Sequence, residues 1–418
     1  MARALASARS GLWQPSGTHF PALDGIRALA ALLIVGFHSY VYLGKAAAQS
    51  PFAAPPGTVA RILDGMWIGV DVFFVLSGFL IGRMLFVQLR DEAAIQFRRF
   101  YLRRSFRILP AYYVVYTLSL LVLFHFPVFQ PVYQGAAWSE LLWRAPASYL
   151  LLSNYFPGAL VPNALGLNWS LCVEEHFYLL IPALLAVLFD RVTDRWRLAA
   201  LVGLLCASAT TRALALASNP EVTILSGPYW LSHSHADGLL LGLIGAYGFV
   251  FEREALQRTA RRVGSCTWLA ALACFAAVFI WGGVFVRGPF AVIFQFSVLA
   301  LGSTLLVLNG VTNDNLATRF LTLSFWRPLA RLSYGIYLVH IFAILGLIAV
   351  WPHAAAEVIR SSVELALFAV CASCVAIGVA TVLFFAIERP MQALGVRLSL
   401  HYTPRRSRLQ DAPVAEVH

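Results

Sequence analysis

Arg27 and His38 stand eleven positions apart in one apolar stretch of the chain. On a helix that turns about 100° per residue they share a face, about 16 Å apart along the axis. A neutral imidazole can take up a proton near pH 7, and a carboxylate beside it can orient the ring and steady its cation. Carboxylates of that kind recur at a similar depth in other apolar stretches: Asp71, the adjacent pair Glu174 and Glu175, and Asp237. Farther along lie Arg104 and Arg107, spaced i, i+3 and so on one helical face, with Phe100, Tyr101 and Phe106 beside them. Paired guanidinium groups suit phosphate. Plain structural alternatives exist for each. Arg27 can snorkel to the headgroups, His38 can make a packing hydrogen bond, and Arg104 and Arg107 can be ordinary basic flanks of a membrane span.

Such residues need a scaffold, and composition says which. The chain has 418 residues, 60% of them hydrophobic and only 12% charged. A soluble domain carries about 25% charge, and disordered chains are poor in aromatics. The composition therefore predicts an all-α, polytopic integral membrane bundle. About ten stretches reach the roughly 20 apolar residues a span needs: 23–43, 65–85, 108–126, 167–189, 198–217, 231–251, 264–283, 290–309, 332–351 and 362–387. Asp71 then lies about 9 Å inside the outer edge of the second span, the depth of His38 in the first. Ionisable groups at such depth are costly and by default mark function.

The net charge is +11, almost all of it arginine. With a cytoplasmic N-terminus, most of the 31 basic residues fall on the inner side; outside lie only Lys45, Arg61, Arg144, Arg212, Arg287 and Arg360, with Arg27 inside a span. That asymmetry predicts both termini in the cytoplasm and accounts for the basic charge without nucleic acid. The expected organisation is a cytoplasmic segment at 1–22, a membrane domain at 23–387 and a short basic tail at 388–418. Residues 1–22 lack the continuous apolar core of a signal peptide. Six cysteines form no disulfide framework. Cys371 and Cys374, a CxxC inside an apolar helix, read as packing residues. No zinc-type spacing and no glycine-rich phosphate loop is present, so no metal is expected.

Several segments together resemble acyltransferase family 3, integral-membrane enzymes that mostly O-acetylate bacterial surface sugars. They are Leu23 to Ala31 followed by His38, Asp71 to Leu80, Arg104-Ser105-Phe106-Arg107, Asn168 to Tyr178, Ala330 to His340, and Glu388-Arg389-Pro390. The resemblance spans about residues 20–392 and implies a stand-alone form, without the SGNH hydrolase-like domain of some relatives. Cys172 fills a variable position of the glutamate motif; as a buried thiol it is a poor nucleophile.

The resemblance implies acetyl-CoA, or another short acyl-CoA, as donor substrate, with no permanently bound cofactor. Arg27, Arg104 and Arg107 would hold its phosphates at the cytoplasmic end. The pantetheine arm would run up the bundle to His38, the expected catalytic base. Asp71, Glu174 or Glu175 would assist, and Trp169, Ser170 and Asp237 are acceptor-side candidates. Direct transfer and an acyl-His38 intermediate both remain open. The acceptor would be a hydroxyl of an extracytoplasmic or lipid-linked saccharide (surface polysaccharide, O-antigen or peptidoglycan), reached from a bacterial cytoplasmic membrane. The rival readings are a secondary transporter or flippase of a glycan-related solute, and acylation of a secreted small molecule. The transporter lacks sequence support in repeated halves or paired broken helices.

Overall fold

The computed structural model describes residues 12–13, 20–47, 58–129, 137–156, 168–223, 227–281, 288–351 and 362–400. Most of the expected N-terminal segment, and the tail beyond residue 400 with Arg405, Arg406 and Arg408, lie outside the described residues. All regular structure among the described residues is helical. In hydrocarbon a backbone must satisfy its own polar groups, and a helix does so within one segment.

Among the described residues, eight helices are long and apolar enough to cross a membrane. α1 is Pro21–Ala47, a short α2 (Thr58–Gly65) follows, and α3 is Gly69–Glu92. α4 (Phe97–Leu121), a short α5 (Trp138–Tyr149), α6 (Asn168–Arg191) and α7 (Asp194–Ser218) come next. α8 is Asp237–Phe251; α9 (Arg253–Val263) and α10 (Cys266–Trp281) meet at an 83° bend and make a ninth span if counted together. α11 (Gln295–Thr312) leads through α12 (Leu316–Leu321) to α13 (Trp326–Val350), α14 (Ser362–Leu383) and α15 (Arg389–Ser399).

The expected sixth span, 231–251, is shorter than its hydropathy suggested. Residues 232–235 form turns, and the helix starts only at Asp237. Local hydrogen bonding explains the delay. Ser234 Oγ donates to Pro228 O and the His235 ring bonds Tyr229 O, while a long-range bond from Asn154 Nδ2 to Ser232 Oγ anchors the same turn. The 15 residues that remain extend about 22 Å, short of the roughly 30 Å hydrocarbon core. α8 is therefore held by protein rather than by lipid. Its residues Asp237, Gly238, Leu239, Gly242 and Ala246 are all buried.

Glycine sets how close α8 comes to α3. A Cβ on Gly242 would lie 2.2 Å from Val75 O, and one on Gly78 would lie 2.0 Å from Leu239 O. Small residues at such spacing let two membrane helices touch backbone to backbone. Gly242→Ala should therefore destabilise the protein, although Ala normally favours a helix by about 1 kcal/mol over Gly. Overpacking against a rigid backbone costs about 1–3 kcal/mol. Gly378→Ala, at a position with open space around it, should be neutral or slightly stabilising. Thermal unfolding in detergent, followed by loss of the monodisperse peak, compares the two. Equal stability of both variants would mean that the α3–α8 contact yields easily.

Candidate active site

Arg27 and His38 both lie on the unbroken α1, so the sequence-derived common face and axial separation of about 16 Å hold. α1 packs against α13, α3 and α14, and this brings His38 to a residue far away in the chain. His340 Nε2 lies 3.3 Å from His38 Nδ1, with ring centroids 5.0 Å apart. His38 Nδ1 is also 2.9 Å from Ile34 O, and His340 Nδ1 is 2.7 Å from Tyr337 O. His340 is completely buried and His38 partly so.

From His340 a line of polar groups runs on through the bundle. The Tyr337 hydroxyl lies 2.5 Å from Ser170 Oγ, which ties α13 to the first turn of α6. One turn farther along α6, Glu174 Oε1 accepts from both the Ser77 hydroxyl and the Tyr178 hydroxyl. The Arg104 guanidinium sits over the Tyr178 ring, 5.4 Å from its centroid. Arg104 is in electrostatic reach of Glu174, Glu175 and Arg107, and Arg27 is in reach of Arg104, Arg107, Tyr178 and Asp24. The structure thus gathers Arg27, Arg104 and Arg107 at one end of this line, with His38 at the other. α4 begins at Phe97, so the arginines are helical residues rather than loop residues. Arg103, one position away, turns elsewhere and donates to Ser399 Oγ of α15 at 2.9 Å.

Asp71 goes elsewhere. It is completely buried, and its Oδ1 lies 3.0 Å from His235 Nε2. Asp71, one of the carboxylates considered as a partner for His38, therefore pairs with His235. The His235 ring stacks on Phe296 at 3.8 Å and on Trp169 at 5.4 Å, and its Nδ1 lies 2.7 Å from Tyr229 O. This places Trp169 against the Asp71–His235 pair, while its neighbour Ser170 meets Tyr337. Tyr229 is in electrostatic reach of both Asp71 and Tyr337, so the two polar clusters adjoin. Glu174 likewise faces Ser77 and Tyr178, and His38 is in contact with His340. Glu175 Oε1 is buried and has no hydrogen-bond partner among the described residues.

Asp237 is saturated. Arg212 NH1 reaches its Oδ2 at 2.7 Å and Arg212 NH2 its Oδ1 at 2.9 Å, and the Ser208 and Ser297 hydroxyls donate to it as well. Arg212 also bonds Ser234 O and Ile293 O. Arg212, expected near the outer end of a helix, is instead completely buried. A bidentate, fully paired buried ion pair is a structural knot, costly to break from one side. It joins α7, α8 and the turn before α11, and it leaves Asp237 no lone pair facing an acceptor. Cys172 is buried, 3.5 Å from Ser153 Oγ. Cys371 and Cys374 are not joined by a disulfide. Among the described residues no cluster of His, Cys, Asp and Glu could hold a metal ion.

Sequence reasoning gave neither His340 nor His235 a role. Only the fold reveals either partnership, because His340 and His38 are 302 positions apart and His235 and Asp71 are 164 apart.

A family model described as an acyltransferase domain matches residues 20–385. The peptidoglycan O-acetyltransferase OatA of Listeria monocytogenes is 29% identical over 276 residues, 62% of this chain and 39% of that protein. YrhL of Bacillus subtilis, provisionally named a peptidoglycan O-acetyltransferase, is 33% identical over 190 residues, 45% of this chain and 27% of its own length. A Staphylococcus aureus protein provisionally named an O-acetyltransferase is 28% identical over 190 residues, 43% of this chain and 27% of its own. The chain thus matches well under half the length of these relatives. No solved structure matches it significantly. With a family model covering nearly its whole described length, the chain belongs to acyltransferase family 3.

Proposed function

We propose that this protein is a multi-pass membrane O-acetyltransferase. It moves an acetyl group from cytoplasmic acetyl-CoA to a hydroxyl of an extracytoplasmic or lipid-linked saccharide. The observation that carries this reading is the polar line from Arg27, Arg104 and Arg107 to His38 and His340. A donor with phosphates at one end and a thioester at the other has the same polarity. The basic asymmetry supports a cytoplasmic arginine end in a bacterial cytoplasmic membrane, with both termini inside. The names of the relatives make peptidoglycan the first acceptor to try.

In this mechanism the three arginines bind the phosphates by charge-assisted hydrogen bonds. His38 takes the proton of the acceptor hydroxyl as its oxygen attacks the thioester carbonyl. The tetrahedral intermediate collapses, the C–S bond breaks, and the CoA thiolate recovers the proton held by His38. An O-acetyl ester and free CoA result. No metal is required by these steps.

The test uses membrane vesicles containing the full chain, acetyl-labelled acetyl-CoA and purified peptidoglycan fragments or another surface glycan. Label should appear in the glycan in step with CoA release, and mild alkali should remove it as expected of an ester. Movement of solute across the vesicle membrane with no acylation of any glycan would replace the enzyme with a transporter or flippase.

A further inference from the structure

Two carbonyls next to the paired histidines decide where their protons lie. Tyr337 O is 2.7 Å from His340 Nδ1. A lone pair on that nitrogen would face a lone pair on the oxygen, so the proton sits on His340 Nδ1. His340 Nε2 is then an acceptor. Ile34 O is 2.9 Å from His38 Nδ1, and the His340 Nε2 acceptor is 3.3 Å from the same nitrogen. Two acceptors converge on His38 Nδ1, which places the proton there as well and the ring's lone pair on Nε2. The opposite assignment sets two carbonyl oxygens against two ring lone pairs.

We propose that His340 is a positioning residue for the catalytic base. It fixes the tautomer and ring plane of His38, so that Nε2 is the atom that accepts the proton of the acceptor hydroxyl. A second imidazole here does the work that a carboxylate does in a serine-type triad. Its own orientation comes from Tyr337 O and from packing that leaves it no exposed surface. A neutral acceptor also suits this depth, since an ionised carboxylate beside His38 would add a buried charge to be paired. The inference rests on the acetyltransferase reading above for its catalytic part; the tautomer part stands without it.

The test compares His340→Leu, which removes the acceptor nitrogen, with His340→Gln, which retains an acceptor oxygen. Groups that orient a metal-ligating imidazole are typically worth about 10- to 100-fold, and the same scale is expected for a catalytic one. For His340→Leu, kcat should fall by about that factor, with KM for acetyl-CoA unchanged. His340→Gln should recover part of the loss. The 15N signals of His38 should show a protonated Nδ1 in the wild-type protein; they are identified by their absence from His38→Gln. They should move toward mixed tautomers in His340→Leu. If His340→Leu does not accumulate, His340→Phe serves in its place. Wild-type kcat in the apolar variant overturns the proposal. So do equal losses in the apolar and Gln variants with unchanged His38 signals, which would make His340 a packing residue. If the wild-type protein transfers no acetyl group, the acetyltransferase reading fails instead, and the 15N comparison alone decides the tautomer.

Discussion

His38→Ala should remove measurable acetyl transfer while the protein still accumulates in the membrane. Loss of a general base costs about 10²–10⁴ in rate. The fold supports retention, because α1 is held along its length by α13, α3 and α14 and not by this one side chain. His38→Gln should fare little better: an amide can hydrogen-bond but cannot take the proton. Acetyl-CoA affinity should survive both changes, since the arginine end lies about 16 Å away. Calorimetric titration with CoA and the vesicle transfer assay together measure the two quantities. Turnover at the wild-type level in His38→Ala would end the mechanism. The base would then be sought at Glu175, whose Oε1 is buried without a partner among the described residues, or at the Asp71–His235 pair.

How the site divides between sequence and fold follows from the range of each signal. Helical periodicity is local, so Arg27 and His38 on one face of α1, and Arg104 and Arg107 one turn apart on α4, could be read directly. Depth is also local, and it grouped His38, Asp71, Glu174, Glu175 and Asp237 into one layer. Depth does not give azimuth, however. Asp71 on α3 turns to His235 on the turn before α8, and Glu174 turns to Ser77 and Tyr178. Which of several equally deep groups meets His38 is set by how α13 packs on α1, and no spacing within either segment encodes that. Hydropathy found a helix in each of the ten stretches. It failed on the length of α8, where Ser232, Ser234 and His235 spend their hydrogen bonds on neighbouring carbonyls and side chains rather than on a helical turn. It equally missed that Arg212 is buried, because a paired guanidinium deep in the bundle and one snorkelling at a helix end look alike in a sequence.

The donor arginines should separate into two kinds of loss. Charge-assisted hydrogen bonds contribute about 1.5–3 kcal/mol each, or roughly 10- to 150-fold in affinity. Arg107 is exposed and acts through its charge on Arg27, Arg104 and Glu388. Arg107→Ala should therefore raise KM for acetyl-CoA and leave kcat alone, the pattern of lost uniform binding. Its effect should shrink as salt rises, because exposed charges are screened. Arg104 is half-buried, rests on the Tyr178 ring and acts on Glu174 and Glu175. Removing it leaves two glutamates without their nearby cation, so Arg104→Ala should raise KM by the larger factor and lower kcat as well. Arg104→Lys should recover the charge but neither the planar stack on Tyr178 nor a bidentate grip on phosphate, and so only part of the affinity. Steady-state kinetics at low and high salt, with a parallel CoA titration, resolve these cases. CoA affinity at the wild-type level in both alanine variants would reduce the pair to basic flanks that set the orientation of α4, and would move the phosphate site away from this end of the bundle.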